Sequence, residues 1–180
     1  MAGPRDAAAY SKRKPVVNTR KSKLHKYSYV KVVPPMKIVK FNMGDIPSFE
    51  AGKFKIVVTI ATGEKIQIRD LALEATRQSL NKDLTNTFQK AYFLRCNVFP
   101  HNILRNNRVF SGASKGERVQ TGMSKSFGTS EGRAATIRKG NPIFTIYFNG
   151  DVNIPKVREA VRKVKAKLPC KVLVNVVVNK

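Results

Sequence analysis

The positive charge of this chain limits the structures that it can form. Its 180 residues include 35 lysines and arginines against 11 aspartates and glutamates, a net charge of +24. Self-repulsion of this size destabilises a compact state unless a polyanion neutralises it. The cations are concentrated in the first forty residues, in a glycine-rich stretch from about 100 to 140, and on one face of a helix-like segment near the C-terminus. This distribution predicts a protein that binds nucleic acid through several surfaces.

The remaining composition is typical of one domain with a polar extension. Hydrophobic residues make up 42% of the chain, which is enough to form a core. No apolar run is long enough to span a membrane and the N-terminus lacks a signal peptide's hydrophobic region, so we expect a soluble intracellular protein. Cys96 and Cys170 lie in apolar runs, which favours buried thiols over a disulfide. With His25 and His101 they do not form a zinc-binding pattern, and no metal or cofactor is expected.

Residues 1–35 are predicted to form a basic N-terminal arm. They contain few large apolar side chains and end at Pro34-Pro35, where proline blocks helix and sheet hydrogen bonds. Such a segment buries too little apolar surface to fold alone, so we expect it to stay extended until a charged partner orders it. Six of its cations are assigned to RNA binding: Arg13, Lys14, Arg20, Lys21, Lys23 and Lys26.

From Met36 onward the chain shows the periodicities of regular structure. The first predicted strand begins with Met36, Ile38 and Phe41, and further strands are predicted at 54–60 and 65–68. A helix follows that starts at Asp70 as N-cap and contains Leu73, Leu80, Leu84 and Phe88. The remaining predicted elements are strands at 92–98, 134–138 and 143–148, a helix at 154–168 and a strand at 171–178.

Two local pairings follow from the turns. The strand at 65–68 is expected to return as a hairpin on the strand at 54–60, and the strands at 134–138 and 143–148 are expected to pair around Gly140-Asn141-Pro142. Two helices packed on one mixed or antiparallel sheet give an α+β fold, with residues 36–180 as a single domain.

The stretch from about 100 to 132 shows no convincing periodicity and is predicted to be a long basic loop. A loop of this length in a compact domain is usually functional. Its glycines allow close backbone approach to a ligand, but their spacing is not that of a P-loop. Phe110 and Phe127 are expected either to stack on unpaired bases or to pack at the loop base, whereas Phe99 is assigned to the core. His101 is expected to hold the loop base or to contact RNA.

Catalytic constellations cannot be identified from the spacing of the residues. The chain shows no paired carboxylates and no Ser/His/Asp or Cys/His arrangement, which favours a protein that is not an enzyme. Two alternatives stay open on composition alone: an RNA-modifying or RNA-cleaving enzyme, and another basic nucleic-acid-binding module, such as a DNA-compacting protein.

The long loop contains short motifs in a characteristic order: Pro100-His101, Leu104-Arg105, Asn107, Gly116 with Arg118, Gly122-Met123, Phe127-Gly128, Gly132 and Ala134-Ala135. Further motifs flank it: Phe41-Asn42-Met43-Gly44, Ala72-Leu73-Glu74-Ala75 with Arg77-Gln78, and Ile143, Ile146 and Asn149. In these motifs the chain resembles the large-subunit ribosomal protein ten-e family of archaea and eukaryotes, the counterpart of bacterial large-subunit protein sixteen. The chain departs from the family pattern at Ser124, at Thr129-Ser130 and at Thr136-Ile137.

The resemblance implies a hammerhead-type α+β fold and a cytoplasmic, ribosomal location. It implies binding to large-subunit rRNA near the peptidyl transferase and A-site region, beside neighbouring ribosomal proteins, with the loop directed at tRNA. Candidate rRNA-binding residues outside the arm are Arg133, Arg138, Arg158 and Arg162. The candidate tRNA-proximal residues are Arg105, Arg108, Gly112, Lys115, Gly116, Arg118, Gly122, Met123, Lys125, Phe127 and Gly128.

Overall fold

A computed structural model describes Ser11 and residues 30–106 and 129–178 of the chain. In these ranges the elements are β1 (Asn42–Gly44), α1 (Ile46–Glu50), β2 (Ile56–Thr62), β3 (Ile66–Arg69), α2 (Asp70–Phe88), β4 (Tyr92–Cys96), β5 (Asn102–Asn106), β6 (Thr129–Ile137), β7 (Pro142–Phe148), a 3₁₀ turn (Asp151–Asn153), α3 (Ile154–Lys165) and β8 (Val172–Val178).

The described strands form two sheets. The larger has the order β1-β4-β7-β2-β8 and the smaller has the order β3-β6-β5. Every pairing in both sheets is antiparallel. The predicted α+β class is therefore confirmed, with antiparallel rather than mixed sheets.

The two longer helices cover one face of the larger sheet. Phe144, Ile146 and Phe148 on β7 are fully buried, and the Phe148 ring lies 5.1 Å from that of Phe88 on α2. Helix α3 contributes Val157, Val161 and Val164 to the same core. Both helices were predictable because their apolar residues recur at helical spacing. Asp70 is the first residue of α2 and not its N-cap, a position that Arg69 occupies.

The short helix α1 on the opposite face of the sheet was not predicted. Asp45 caps it by accepting a hydrogen bond from the Ser48 backbone N–H at 3.1 Å, and this bond lowers the pKa of the Asp45 carboxyl. Phe49 stacks on Phe93 with ring centroids 4.1 Å apart and meets the edge of Tyr147. Five residues show too little periodicity to reveal a helix.

Both predicted hairpins are wrong. Strand β3 pairs with β6 and not with β2, and β6 belongs to the smaller sheet and not beside β7. The chain thus crosses between the sheets four times, and Thr62 joins two of these crossings, the one after β2 and the one after β6. Its carbonyl accepts from the Gly140 N–H at 2.8 Å and its hydroxyl donates to the Arg138 carbonyl at 2.8 Å. The turns were located correctly, but a turn signal does not specify which strand becomes the partner.

Two other predictions need correction. Residues 36–41 form no strand, and they run instead beside α2, with Ile38 buried. The predicted loop from 100 to 132 contains β5 and the first part of β6, which pair with each other from Asn102–Ala134 to Asn106–Thr129. Both strands are short and carry polar residues, which hides the two-residue period of a sheet.

Candidate nucleic-acid interface

Helix α3 carries the largest group of cations in the described part of the chain. Its stripe of Val157, Ala160, Val161 and Val164 is buried, so most of the remaining positions face outward. These positions and the residues just after the helix carry six exposed cations: Lys156, Arg158, Arg162, Lys163, Lys165 and Lys167. The two predicted rRNA-binding residues of this helix, Arg158 and Arg162, are both members of this group, which we term the α3 basic face.

The α3 basic face keeps most of its charge unpaired. Lys163 lies 3.4 Å from Glu159 and 4.0 Å from Asp83. Within residues 30–106 and 129–178, none of the other five cations has an acidic partner within ion-pair distance. Cations in the last turn are also favoured by the negative end of the helix dipole. The result is a concentrated, solvated positive surface suited to binding phosphates.

A second exposed cationic site lies where the chain crosses from β6 in the smaller sheet to β7 in the larger. Arg138 and Lys139 are exposed in the turn after β6. The Arg138 carbonyl accepts from both the Thr62 hydroxyl and the Asn141 N–H, so its backbone is held in place. A cation on a fixed backbone loses less entropy when it binds a phosphate.

Arg133 holds the chain before β1. Its Nε donates to the Pro34 carbonyl at 2.7 Å, and the Ser130 hydroxyl donates to the Val32 carbonyl at 2.9 Å. Pro34 is buried and Val30 is 3% exposed. Arg133 was predicted to bind rRNA. Part of its hydrogen-bonding capacity is instead used within the protein.

Two carboxylates of α2 bind the next part of the same segment. Asp70 accepts from the Lys37 backbone N–H at 3.2 Å and Glu74 accepts from the Val39 N–H at 3.4 Å. Residues 30–41, which we term the arm root, are thus attached to β6 and α2 by side chains that bind their backbone. In a chain with so few acids, these carboxylates serve the internal structure.

Arg77 supports Glu74 in this role. Its guanidinium binds the carboxylate in two places, with Nε 2.8 Å from Oε2 and Nη2 2.5 Å from Oε1. These hydrogen bonds are the main reason that the pKa of Glu74 lies below its usual value of 4.5. The same bonds raise the pKa of Arg77. The carboxylate therefore stays ionised at physiological pH.

The predicted tRNA-proximal loop begins at a β-hairpin. Arg105 is half-buried on β5 and lies opposite Ser130 on β6. The other ten candidates lie outside the described residues: Arg108, Gly112, Lys115, Gly116, Arg118, Gly122, Met123, Lys125, Phe127 and Gly128. The six arm cations from Arg13 to Lys26 and the aromatic Phe110 also lie outside them.

Phe99 is 53% exposed, so its assignment to the core is wrong. It lies over Phe41, with ring centroids 5.8 Å apart and an interplanar angle of 25°. His101 contacts the Phe99 carbonyl through Nδ1 at 3.2 Å. The alternation of β4 contained the signal, because Arg95 and Asn97 face solvent and Phe99 continues that face.

The two cysteines are protonated thiols. Burial raises the pKa of Cys96, and burial raises the pKa of Cys170 to about 11. No cluster of three or more potential metal ligands occurs among the described residues. No helix within residues 30–106 and 129–178 is long and apolar enough to cross a membrane.

An α+β fold with concentrated, exposed and unpaired cations is typical of ribosomal proteins. Residues 16–175 match the family described as ribosomal protein L16p/L10e, and the chain belongs to this family. It is 39% identical over 142 residues to the large ribosomal subunit protein uL16 of Pyrobaculum calidifontis, covering 78% of this chain and 79% of that protein. The uL16 protein of Thermofilum pendens is 40% identical over 142 residues, with 78% and 81% covered. That of Methanocella arvoryzae is 39% identical, with 78% and 79% covered.

Proposed function

We propose that the chain is a structural constituent of the large ribosomal subunit that binds large-subunit rRNA through phosphate contacts. It works in the cytoplasmic ribosome, beside other ribosomal proteins, and catalyses no reaction of its own. The α3 basic face is the observation that carries this proposal. Four unpaired, exposed cations lie on one short helix and a fifth lies just after it. They repel one another, and neutralisation by a polyanion removes this cost.

The arm extends the same binding surface. Its six candidate cations precede the arm root, whose backbone is attached to Ser130, Arg133, Asp70 and Glu74. The arm root therefore has a fixed position on the domain. Fixing one end of a charged segment lowers the entropy lost when the rest binds rRNA.

The loop after β5 supplies the contact with tRNA in this proposal. Strands β5 and β6 pair along five register positions and hold both ends of the loop against the domain. The intervening sequence carries Arg108, Lys115, Arg118 and Lys125 among glycines. Cations with small neighbours suit a crowded space between phosphate backbones.

Association with the ribosome is tested by sedimentation. The tagged chain is expressed in a related archaeon and lysates are separated on sucrose gradients in high salt. We expect co-sedimentation with large subunits, because high salt removes proteins that are held by non-specific charge contacts alone, whereas a chain built into the assembled subunit stays bound. Recovery only in the light fractions would contradict the proposal, and a tagged unrelated basic protein controls for charge alone.

The role of the loop is tested by deleting residues 112–125. We expect the deletion variant to enter large subunits at the parental level, since β5 and β6 stay intact, but to slow peptidyl transfer to an A-site substrate. A variant with the same segment replaced by glycine and serine at equal length separates loss of charge from loss of length. Parental activity at full occupancy would refute the tRNA-facing role and leave the rRNA-binding role intact.

A further inference from the structure

We propose that the cavity beside Phe99 binds an unpaired nucleobase of RNA. This inference rests on the proposed rRNA binding and adds a specific site to it. The cavity has a volume of about 330 Å³ and opens to solvent at the boundary between the two sheets. It is lined by Asn97, Val98, Phe99, His101, Thr136, Ile137, Asn141 and Pro142.

The Phe99 ring provides a stacking surface. Phe41 lies against it at 5.8 Å in a nearly parallel orientation, which fixes the ring while leaving it 53% exposed. Phe41 is itself held because its carbonyl accepts from the Cys96 N–H of β4 at 2.7 Å. A supported, half-exposed aromatic ring is the feature on which unpaired bases stack. Exposure of such a ring costs free energy in the unbound protein, which stacking would recover.

Polar groups around the cavity can bind the edge of a base. The Phe99 carbonyl only accepts, so the His101 Nδ1 is the donor in their contact, and in the tautomer that carries its proton on Nδ1 the other nitrogen, Nε2, is an acceptor. The Asn97 side-chain nitrogen donates to the Thr145 hydroxyl at 2.5 Å, which fixes the amide and leaves its oxygen as an acceptor. Acceptors of this kind suit the exocyclic amino group of a base.

Thr136 of β6 adds a hydroxyl group to the cavity lining. Its hydroxyl oxygen is buried and has no hydrogen-bond partner among the described residues. A buried hydroxyl without a partner is uncommon, because it loses its bonds to water and gains nothing in return. Because Thr136 lines the cavity, a rotation of its side chain would let the hydroxyl bind a polar ligand there.

The charges around the cavity favour a nucleotide over an apolar ligand. Arg138 and Lys139 lie in the turn that precedes the cavity residues Asn141 and Pro142, and both are exposed. Arg95 is exposed two residues before Asn97 on the same face of β4. A base in the cavity would therefore have its phosphates among cations.

The absence of tryptophan from the chain allows a direct test. The Phe99→Trp variant of the full-length protein carries one fluorophore in the cavity, and Leu173→Trp carries one at an exposed apolar position on β8. Each is titrated with single-stranded oligoadenylate, with duplex RNA of equal length and with inorganic polyphosphate. Fluorescence anisotropy of labelled RNA measures binding separately.

We expect single-stranded RNA to quench the indole of Phe99→Trp by stacking, with weaker quenching by duplex RNA and none by polyphosphate. Leu173→Trp should respond to none of the three. The Phe99→Leu variant should bind the single strand about 5- to 150-fold more weakly than the parent, because leucine keeps the apolar bulk without the π face. Its thermal unfolding should match that of the parent, since the ring is half-exposed.

The outcomes separate this site from the proposed function. Suppose that anisotropy shows tight RNA binding, that RNA does not quench the Phe99→Trp indole and that Phe99→Leu keeps the parental affinity. These results would refute the cavity as a base site and leave the proposed rRNA binding intact. Equal quenching of Phe99→Trp and Leu173→Trp would show contact without a specific site and would also refute it. Failure of the parent protein to bind any RNA would overturn both.

Discussion

Arg133 donates from Nε to the carbonyl oxygen of Pro34 across 2.7 Å. This bond joins β6, which borders the proposed tRNA-proximal loop, to the root of the basic arm. A charged donor makes the bond stronger than a neutral one. The arm root and the base of the loop are therefore directly connected, and we expect movement of one to affect the other.

We expect Arg133→Ala to release the arm root without unfolding the domain. Trypsin cleavage after the exposed Lys31 should accelerate on the order of tenfold, because the lost bond allows local opening. Mass spectrometry of the fragment that begins at Val32 measures the rate. Arg138→Ala removes the same charge at an exposed position and should leave cleavage unchanged. Equal acceleration in both variants would show that charge, and not the bond to Pro34, holds the segment.

Glu74→Gln should lower the free energy of unfolding by about 1–3 kcal/mol near neutral pH. Arg77 loses its ionised partner, and the bond to the Val39 N–H weakens. Urea unfolding gives the value. Glu159→Gln, which removes an exposed carboxylate on α3, should change it by less than about 0.5 kcal/mol.

The loss in unfolding free energy caused by Glu74→Gln should depend on pH. The pKa of Glu74 is lower in the folded than in the unfolded protein, so its contribution is complete above its ordinary value of 4.5 and is lost as the pH falls through the folded value. The two unfolding free energies should therefore converge below pH 4.5. A difference that stays constant in acid would contradict the ionised Glu74–Arg77 pair.

Gly44→Ala should destabilise the domain by more than about 3 kcal/mol. Gly44 has a φ of +94°, and an added Cβ would lie 2.0 Å from the Tyr92 carbonyl oxygen, which accepts from the Asp45 N–H. Gly52→Ala is the control, because its φ is +67° but no atom lies within 4 Å of the added Cβ. Gly52→Ala should lower the free energy of unfolding by about 1–2 kcal/mol, because only the backbone conformation is strained. Similar thermal midpoints for both variants would contradict the close contact.

The sequence predicted those elements whose signal is local. Helices α2 and α3 and strands β2, β4, β7 and β8 show their own periodicity, so their places were close to those observed. Strand partners were not predictable in this way. β3 pairs with β6 about seventy residues later in the chain, and no local signal near Ile66 indicates that choice.

The candidate interface was predictable to the extent that it depends on charge and helical spacing. The α3 basic face follows from both. The role of Arg133 in binding Pro34 could not be predicted, because a lone arginine carries no sign of whether a carbonyl or a phosphate will be its partner. The cavity at Phe99 needed the sheet positions of β4 and β6, which only the fold provides.

The salt dependence of rRNA binding tests the central claim most directly. The logarithm of the affinity of the full chain for large-subunit rRNA is measured against the logarithm of salt concentration, for the parent and for the triple variant Arg158→Gln, Arg162→Gln and Lys165→Gln. A control variant removes three exposed cations elsewhere: Lys53, Lys55 and Lys65.

If the α3 basic face binds phosphates, its triple variant should flatten the slope by about 2 to 3, because each lost phosphate contact removes roughly 0.7 to 0.9. The control, with the same change in net charge, should change the slope by less than half as much. Equal slopes for the α3 variant and the parent would contradict the account and exclude α3 from the rRNA-binding surface.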